Sequence, residues 1–268
     1  MVSLRNIIVT MKVTPKPEEI RFDPVTKTVD RSKATNEINP ADKNALELAL
    51  QLKEKYGGRV IILSMGPPFW DQFIKMGIAM GADDAVLISD RALGGSDAFV
   101  TSKVLAAAIR KIGDYSLVIT GEESEDGSTG QVPPGIAEWL GIPVVTYVSQ
   151  VIDVTEDSII VKRTIKGGYE IVKVRMPAVI SVELGVNTPR FPDFERLQWA
   201  QSQFKTTVWG IKDLGLTEDE VGFKGSLTAV TELKELRPRE RLRQFIEGSP
   251  EEIARELIKR LGLKQLTS

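Results

Sequence analysis

With 268 residues, 42% hydrophobic and 27% charged at a formal net charge of −2, the chain has an ordinary globular balance and the length of one large domain or a domain with an appendage. The near-neutral charge excludes a global basic field for nucleic acid or an anionic membrane, and no apolar run reaches the roughly 18–20 residues of a membrane span. Cysteine and histidine are both absent, which excludes disulfides, thiolate nucleophiles, cysteine-ligated clusters, histidine metal ligands and the usual general base near neutral pH. Chemistry carried by a bound cofactor therefore fits better than chemistry carried by side chains. The missing cysteine, with abundant Lys, Arg and Glu, also fits a chain from a hot habitat. No signal-peptide cleavage pattern follows the short apolar run near the N-terminus, so a cytoplasmic protein is expected.

In chain order, residues 5–13 read as a buried first strand, and residues 20–22 and 26–29 as a small hairpin around Asp23-Pro24-Val25. Ala45, Leu48, Ala49 and Leu52 repeat at helical spacing over residues 41–56, and Gly57-Gly58 stops that helix. Residues 60–64 form a second buried strand, followed by a turn at 65–68. Phe73, Met76, Gly77 and Met80 face inward on the next helix, and residues 85–88 form the third strand. A helix over 97–112 turns Val100, Val104, Leu105 and Ala108 inward, and residues 117–119 form the fourth strand. Four such alternations of near-continuously apolar strands with helices predict an α/β fold: a doubly wound, mostly parallel sheet with helices on both faces. From about Thr146 the pattern changes to strands at 144–153, 158–163, 170–174 and 178–182, a partly antiparallel extension with a hairpin at Gly167-Gly168. Residues 187–268 read as an extension with few core candidates that must dock on something, a partner subunit in preference to the parent domain. It ends in a helix begun by the capping box of Ser249 and Glu252, with Pro250 at its first position and Gly262 past its end.

The segment most suggestive of a ligand is 116–136, where a short strand breaks into Gly121-Glu-Glu-Ser-Glu-Asp-Gly-Ser-Thr-Gly-Gln-Val132 before a helix. Gly127 and Gly130 let backbone approach a phosphate, and Ser128 and Thr129 add hydroxyl donors. In a parallel sheet the loops at 10–13, 65–68 and 121–132 converge at the carboxyl edge, where ligands bind. The chain has neither the GxGxxG dinucleotide fingerprint after its first strand nor a phosphate-binding Walker loop.

A set of ordered motifs then carries a resemblance. It comprises Met11-Lys12 after strand one, Ile38-Asn-Pro40 before the first helix, and Ser64-Met-Gly-Pro67 after strand two. Further along are Ala79-Met-Gly-Ala-Asp83, Asp126-Gly-Ser-Thr-Gly-Gln131, Val161-Lys-Arg163 with Gly167-Gly-Tyr-Glu170, and Pro177-Ala-Val-Ile180. Each is weak alone. Their order and spacing, over nearly the whole chain, resemble the beta subunit of electron-transfer flavoproteins.

The resemblance implies an adenine-nucleotide domain over 1–186, with a recognition loop and C-terminal arm over 187–268 that wraps an alpha subunit holding the main flavin. Electrons would pass to and from dehydrogenase or quinone-reductase partners through residues 187–200, with Phe194 or Leu197 as the exposed apolar anchor. The plainer reading of those two is a solvated linker. One family branch holds a structural AMP and acts as an electron shuttle. The other holds a second FAD, takes electrons from NADH and bifurcates them toward ferredoxin and quinone-type acceptors. The short loop with Asp126-Gly-Ser-Thr-Gly-Gln-Val132 resembles the FAD branch, although Glu123-Ser124-Glu125, Ser128 and Lys166 depart from its usual residues. By the same resemblance Thr10, Lys12, Met65 and Gly66 line the adenine pocket, and Asn39, Pro40, Ala41 and Asp42 approach the adenosine. Gly127, Ser128, Thr129, Gly130 and Gln131 give N–H and hydroxyl donors to the phosphates, Asp126 fixes the loop or a ribose hydroxyl, and Glu122, Glu123, Ser124 and Val132 complete the cofactor-binding set. As plain residues, Asn39 to Asp42 make a helix-entry turn, Asp126 is a turn former, Met11, Met76 and Met80 pack in the core, and Trp139 packs from its helix or stacks at a subunit interface. No catalytic side chain and no metal site are expected. The resemblance also admits association with a membrane surface through a partner complex. A nucleotide-binding module of the universal-stress type is the competing class.

Overall fold

Nine strands make one sheet, in the order β11-β10-β9-β12-β8-β1-β6-β7-β13. The computed structural model describes residues 3–16, 21–23, 28–30, 35–229 and 243–262. The strands are β1 (Asn6–Thr10), β6 (Arg59–Met65), β7 (Asp84–Ile88), β8 (Tyr115–Gly121), β9 (Val144–Val154), β10 (Ser158–Ile165), β11 (Gly168–Arg175), β12 (Ala178–Val182) and β13 (Thr207–Trp209). Pairing is parallel from β9 through β12, β8, β1, β6 and β7 to β13, and antiparallel between β9, β10 and β11. The turn between β10 and β11 is two residues long, Lys166-Gly167, with Gly167 at a φ of 84°, the left-handed backbone that tight hairpins need. Two small ribbons lie outside the sheet: β2 (Val13–Pro15) pairs with β5 (Asn36–Ile38), and β3 (Arg21–Asp23) with β4 (Thr28–Asp30), both antiparallel. The expected hairpin is thus present. Its Ile20, Pro24, Val25, Thr26 and Lys27 lie outside the described residues.

The helices are α1 (Pro40–Tyr56), α2 (Asp71–Met80), α3 (Ala98–Ile112), α4 (Val132–Leu140), α5 (Phe194–Ser202), the single turn α6 (Gly222–Gly225) and α7 (Pro250–Arg260). Alternation in β1 divides the core between the two faces of the sheet. Ile7 and Val9 pack with Leu46, Ala49, Ile74 and Ile78 of α1 and α2, whereas Ile8 packs with Val100, Val104, Ile109 and Ile136 of α3 and α4. A strand covered on both faces has to be apolar throughout, and that is why these strands read as unbroken hydrophobic runs.

Gly77 on α2 shows how close the helix layer lies. An added Cβ would sit 2.5 Å from Cδ1 of Ile62 and 3.3 Å from Cδ2 of Leu46. Glycine to alanine inside a helix ordinarily gains about 1 kcal/mol of propensity. Here overpacking should outweigh that gain, and Gly77→Ala is expected to lose about 1–3 kcal/mol in urea denaturation.

The boundary expected at residue 186 is not where the compact unit ends. That unit runs from Met1 to Glu232, and Leu233–Ser268 forms a second. Residues 187–229 belong to the first because they supply a strand and buried side chains: β13 extends the sheet beside β7, and Ala200, Ile211 and Val221 are buried. In α5 the chain re-uses polar atoms to hold α2. Arg196 donates from Nε to the carbonyl of Ile78 and from Nη2 to that of Ala82, both at 2.6 Å, satisfying the end of that helix. In the second unit, α7 carries the expected capping box between Ser249 and Glu252 with Pro250 in its first turn. Residues 230–242 and 263–268 of the expected arm lie outside the described residues. Among the described residues, no helix is long and apolar enough to cross a membrane.

Candidate nucleotide site

The strand order reverses between β1 and β8: β6 and β7 follow β1 on one side, and β8 lies on the other. At such a switch point the loops leaving the two strands part in opposite directions and open a crevice. A cavity of about 1430 Å³ opens there, floored by Thr10 at the end of β1, by Met11 and Lys12 just after it, and by Thr120 and Gly121 at the end of β8. Of the residues singled out in the sequence, Thr10, Lys12, Asn39, Asp42, Met65, Glu123, Ser124, Gly127, Thr129, Gly130, Gln131 and Val132 line it. Pro40, Ala41, Gly66, Glu122, Asp126 and Ser128 are not among its lining residues and instead build the frame. Pro40 starts α1. Ala41 is buried beneath Gly121, where an added Cβ would meet the Ala41 Cβ at 2.8 Å and Oδ1 of Asp42 at 2.5 Å. The Trp70 ring covers Gly66, and Glu122 accepts from the Leu184 amide at 2.9 Å.

Asp42 is a clamp. Its Oδ2 accepts from the Lys12 amide at 2.8 Å and its Oδ1 from the Gly121 amide at 3.1 Å, so one buried carboxylate ties the ends of β1 and β8 to the first turn of α1. Burial pushes its pKa from 3.8 up to about 6, against the pull of these amides, the Asn39 side chain and the Lys12 charge. Asn39 likewise spends its carboxamide on the loop: Nδ2 donates to the Glu123 carbonyl at 2.9 Å, and Oδ1 accepts from the Glu125 amide at 3.2 Å. Lys12 reaches across the crevice mouth, its Nζ 2.5 Å from Asp126 and 3.1 Å from Oγ of Ser124. Sequence reading assigns these residues to the ligand; the structure uses their polar atoms to fix the loop that faces it.

The loop is compact. The Gly127 and Ser128 amides both donate to the Ser124 carbonyl, at 3.2 and 2.7 Å, and Ser128 sits at a φ of 45°. The helix that follows aims its positive end at the cavity, since Gln131, Val132, Pro133 and Pro134 all line it. Two of its first three residues are prolines, which have no N–H. The Gly135 amide is already given to the Gln131 carbonyl at 3.0 Å. An anion placed here would thus meet the helix dipole with few amide contacts.

Sequence reasoning missed the far wall. It is made by the start of α3, by Trp139 of α4 and by Leu227 and Thr228. Asp97 organises it, capping α3 through the Val100 amide at 3.0 Å while accepting from the Leu227 amide at 2.9 Å and from the Thr228 amide and hydroxyl at 3.0 Å each. Burial works to raise the Asp97 carboxyl, but these donors outweigh it and hold it below the usual carboxylate range. An N-cap at Asp97 is legible in the sequence; its partners some 130 residues on are not. Trp139, expected to pack from its helix or to stack at a subunit interface, lines the cavity, and of the three methionines expected in the core Met11 and Met80 are buried whereas Met76 is 37% exposed. Phe194 is exposed at the start of α5 and Leu197 is half-buried, while Phe191, not singled out, is 93% exposed. Among the described residues no cluster of acidic side chains has metal-binding geometry.

Comparison with known proteins agrees with the α/β fold. Residues 26–205 match the model of the electron transfer flavoprotein domain. The electron transfer flavoprotein subunit beta of Thermoanaerobacterium thermosaccharolyticum is 39% identical over 261 residues, covering 97% of this chain and 99% of that protein. Protein FixA of Azotobacter vinelandii is 39% identical over 247 residues, 90% of this chain and 88% of the other. The caffeyl-CoA reductase-Etf complex subunit CarD of Acetobacterium woodii is 40% identical over 225 residues, 84% and 85% of the two. Likeness of this extent removes the stress-module class, and the chain belongs to the electron transfer flavoprotein family, among its beta-subunit and FixA members.

Proposed function

We propose that the chain is the beta subunit of a heterodimeric electron-transfer flavoprotein, that it holds FAD in the switch-point crevice, and that it works with NADH and further redox partners in flavin-based bifurcation. The size of the crevice carries this reading. At about 1430 Å³ it exceeds the roughly 300–1,000 Å³ of ordinary small-ligand pockets, and it continues past the 121–132 loop to a second wall. An AMP would occupy the floor and the loop and leave that extension unfilled. The donor set suits a nucleotide: hydroxyls at Thr10 and Thr129, glycine backbone at 127 and 130, and a helix dipole behind them.

When bound, FAD supplies the one- and two-electron chemistry that these side chains lack. The chain's own part is to orient and to shield. Asp42, Asn39 and the Lys12–Asp126 pair hold the loop to the strand ends, and Leu93, Leu105 and Trp139 give the crevice apolar surface. The arm over 233–268 and the exposed Phe191 and Phe194 are the surfaces we assign to the alpha subunit and to redox partners. The name of the Acetobacterium relative, which places it in a complex with a reductase, supports such an assembly.

The test is to co-express the chain with its alpha subunit and count nucleotides released per heterodimer on denaturation. Two FAD and no AMP are expected; one FAD with one AMP would replace bifurcation by the shuttle reading.

A further inference from the structure

Tyr147, within β9, has a φ of 57°. Left-handed backbone is ordinary for glycine and tolerable for asparagine or aspartate, but a bulky side chain there is an outlier. Strand pairing is the cause. Val145 and Val148 of β9 face Ile180 and Val182 of β12, while Val148 and Gln150 face Arg163 and Lys162 of β10. Over both stretches β9 has one residue more than its neighbour, so it bulges between a parallel partner and an antiparallel one. Bulges of this kind commonly seat glycine in the left-handed position. Here tyrosine occupies it, pinned on both sides: Arg163 donates from Nε to the Thr146 carbonyl at 3.0 Å, and the Glu183 amide donates to the Val148 carbonyl at 3.1 Å. Core burial does not explain the choice. Tyr147 is 45% exposed and borders an open cleft with Arg163, Lys166 and Glu183.

The phenol reaches the end of the 121–132 loop. A Cβ added at Gly130 would stand 3.6 Å from Oη of Tyr147 and 3.8 Å from the Glu122 carbonyl oxygen, with no other atom of the described residues within 4 Å. The front of the loop is tied down by Asn39 and Lys12. Residues 129–131 bond within themselves and to α4: the Gln131 amide donates to Oγ1 of Thr129 at 3.3 Å, and the Gln131 carbonyl accepts from Gly135. Gly130 itself has a φ of 60° and no side chain with which to anchor. We infer that Tyr147 is a positioning residue for the nucleotide. The bulge in β9 aims its phenol at Gly130, and that contact fixes where Thr129, Gly130 and Gln131, all on the crevice wall, present their donors to phosphate. The inference rests on the proposal that FAD or AMP fills the crevice and holds for either, since both carry phosphate on the adenosine. Backbone outliers persist where their surroundings over-determine them, and they cluster where a ligand needs a fixed geometry.

Tyr147→Gly and Tyr147→Ala separate strain from positioning, because both remove the phenol and only glycine accepts the left-handed backbone freely. On the co-expressed heterodimer, freed of exchangeable nucleotide, the urea midpoint of Tyr147→Gly is expected above that of Tyr147→Ala, the reverse of the usual order. In equilibrium dialysis both variants are expected to bind FAD beyond the first equivalent, or AMP, about tenfold more weakly, which is what one hydrogen bond to a charged group contributes. Tyr147→Phe keeps the ring and should stay within about threefold of wild type. Should either variant fail to assemble, Tyr147→Asn, which also tolerates this backbone, takes its place with the same expected loss. Affinity then parts from stability, as it would not for a residue that only supports the fold. If affinity follows the urea midpoint, with Tyr147→Gly near wild type and Tyr147→Ala weak, the inference is overturned. A glycine variant no more stable than the alanine one also overturns it, because the strain is then absent. If the wild type binds nucleotide and both variants bind it unchanged, the loop is braced elsewhere and only this inference fails. A wild type that takes neither AMP nor a second FAD overturns the proposed function and this inference with it.

Discussion

Arg190→Ala is expected to lower the unfolding free energy by about 3–5 kcal/mol, the usual result of stripping a buried charge of its partner. The charge in question is Glu47 on α1, 5% exposed at its side chain. Arg190 meets both its oxygens, from Nε at 2.8 Å and from Nη2 at 3.0 Å, and its amide adds a third contact at 3.1 Å. A second carboxylate, Glu54, accepts from Nη1 at 2.5 Å. Burial would raise the Glu47 carboxyl, but Arg190 outweighs it and holds it below its ordinary value. The stabilisation is therefore in place above the unfolded pKa near 4.5 and is lost as pH falls through the lower folded one. Chemical denaturation at neutral pH and at about pH 3.5 checks both statements: the gap between wild type and Arg190→Ala should shrink in acid. Lysine should rescue little, because it cannot form the two-point contact. The same pair anchors the segment that carries the exposed Phe191 and Phe194, so a weak variant should also lose that surface.

The largest effect inside the crevice is expected at Asp42, and its pH dependence runs the other way. Its pKa is raised by burial to about 6. Between about pH 4 and pH 6 the folded chain keeps a proton that the unfolded chain has released, so the contribution of Asp42 falls as pH rises, by on the order of 3 kcal/mol in total. Asp42→Asn removes that titration. It also turns one N–H toward an amide donor, a loss of about 1–3 kcal/mol that does not depend on pH. Comparing denaturation midpoints at about pH 4.5 and about pH 7, the deficit of Asp42→Asn should be smaller at the higher pH, with Glu47 and Asp97 titrating equally in both proteins. A deficit that grows with pH would mean that the Lys12 and Gly121 amides outweigh burial. Loss of the clamp should also weaken nucleotide binding, since the two amides hold the strand ends that floor the cavity.

Much of the fold is legible because its signals are local. The apolar runs of β1, β6, β7 and β8, the helical spacing in α1 and α3, the stop at Gly57 and the capping box at Ser249 each reside in a few consecutive residues. Elements with weak local patterns were missed. Residues 194–202 bury only Ala200, so α5 shows no apolar stripe, and β13 is a three-residue edge strand. The split expected at residue 186 follows from the same weakness: residues 187–229 dock through a few buried contacts and ion pairs that composition does not reveal.

The candidate site divides along the same line. The loop at 121–132, the strand ends at Thr10 and Met65 and the entry to α1 could be singled out because glycine, proline and hydroxyl residues mark turns wherever they occur. That these segments border one crevice follows from β1 lying between β6 and β8, a matter of long-range pairing. Tertiary structure also decided what the polar atoms do. Asn39, Asp42 and Lys12 read as ligand contacts, yet each finds an amide or carboxylate of the loop or strand ends within hydrogen-bonding distance, and a buried polar group takes the partner it has. The sequence by itself determined the sheet strands other than β13, the helices α1 to α4 and α7, the family and the segment most suited to phosphate. Only the fold brought Phe99 to Trp139, Asp97 to Thr228 and Arg190 to Glu47, because contacts between residues 40 to more than 140 positions apart leave no trace in local spacing.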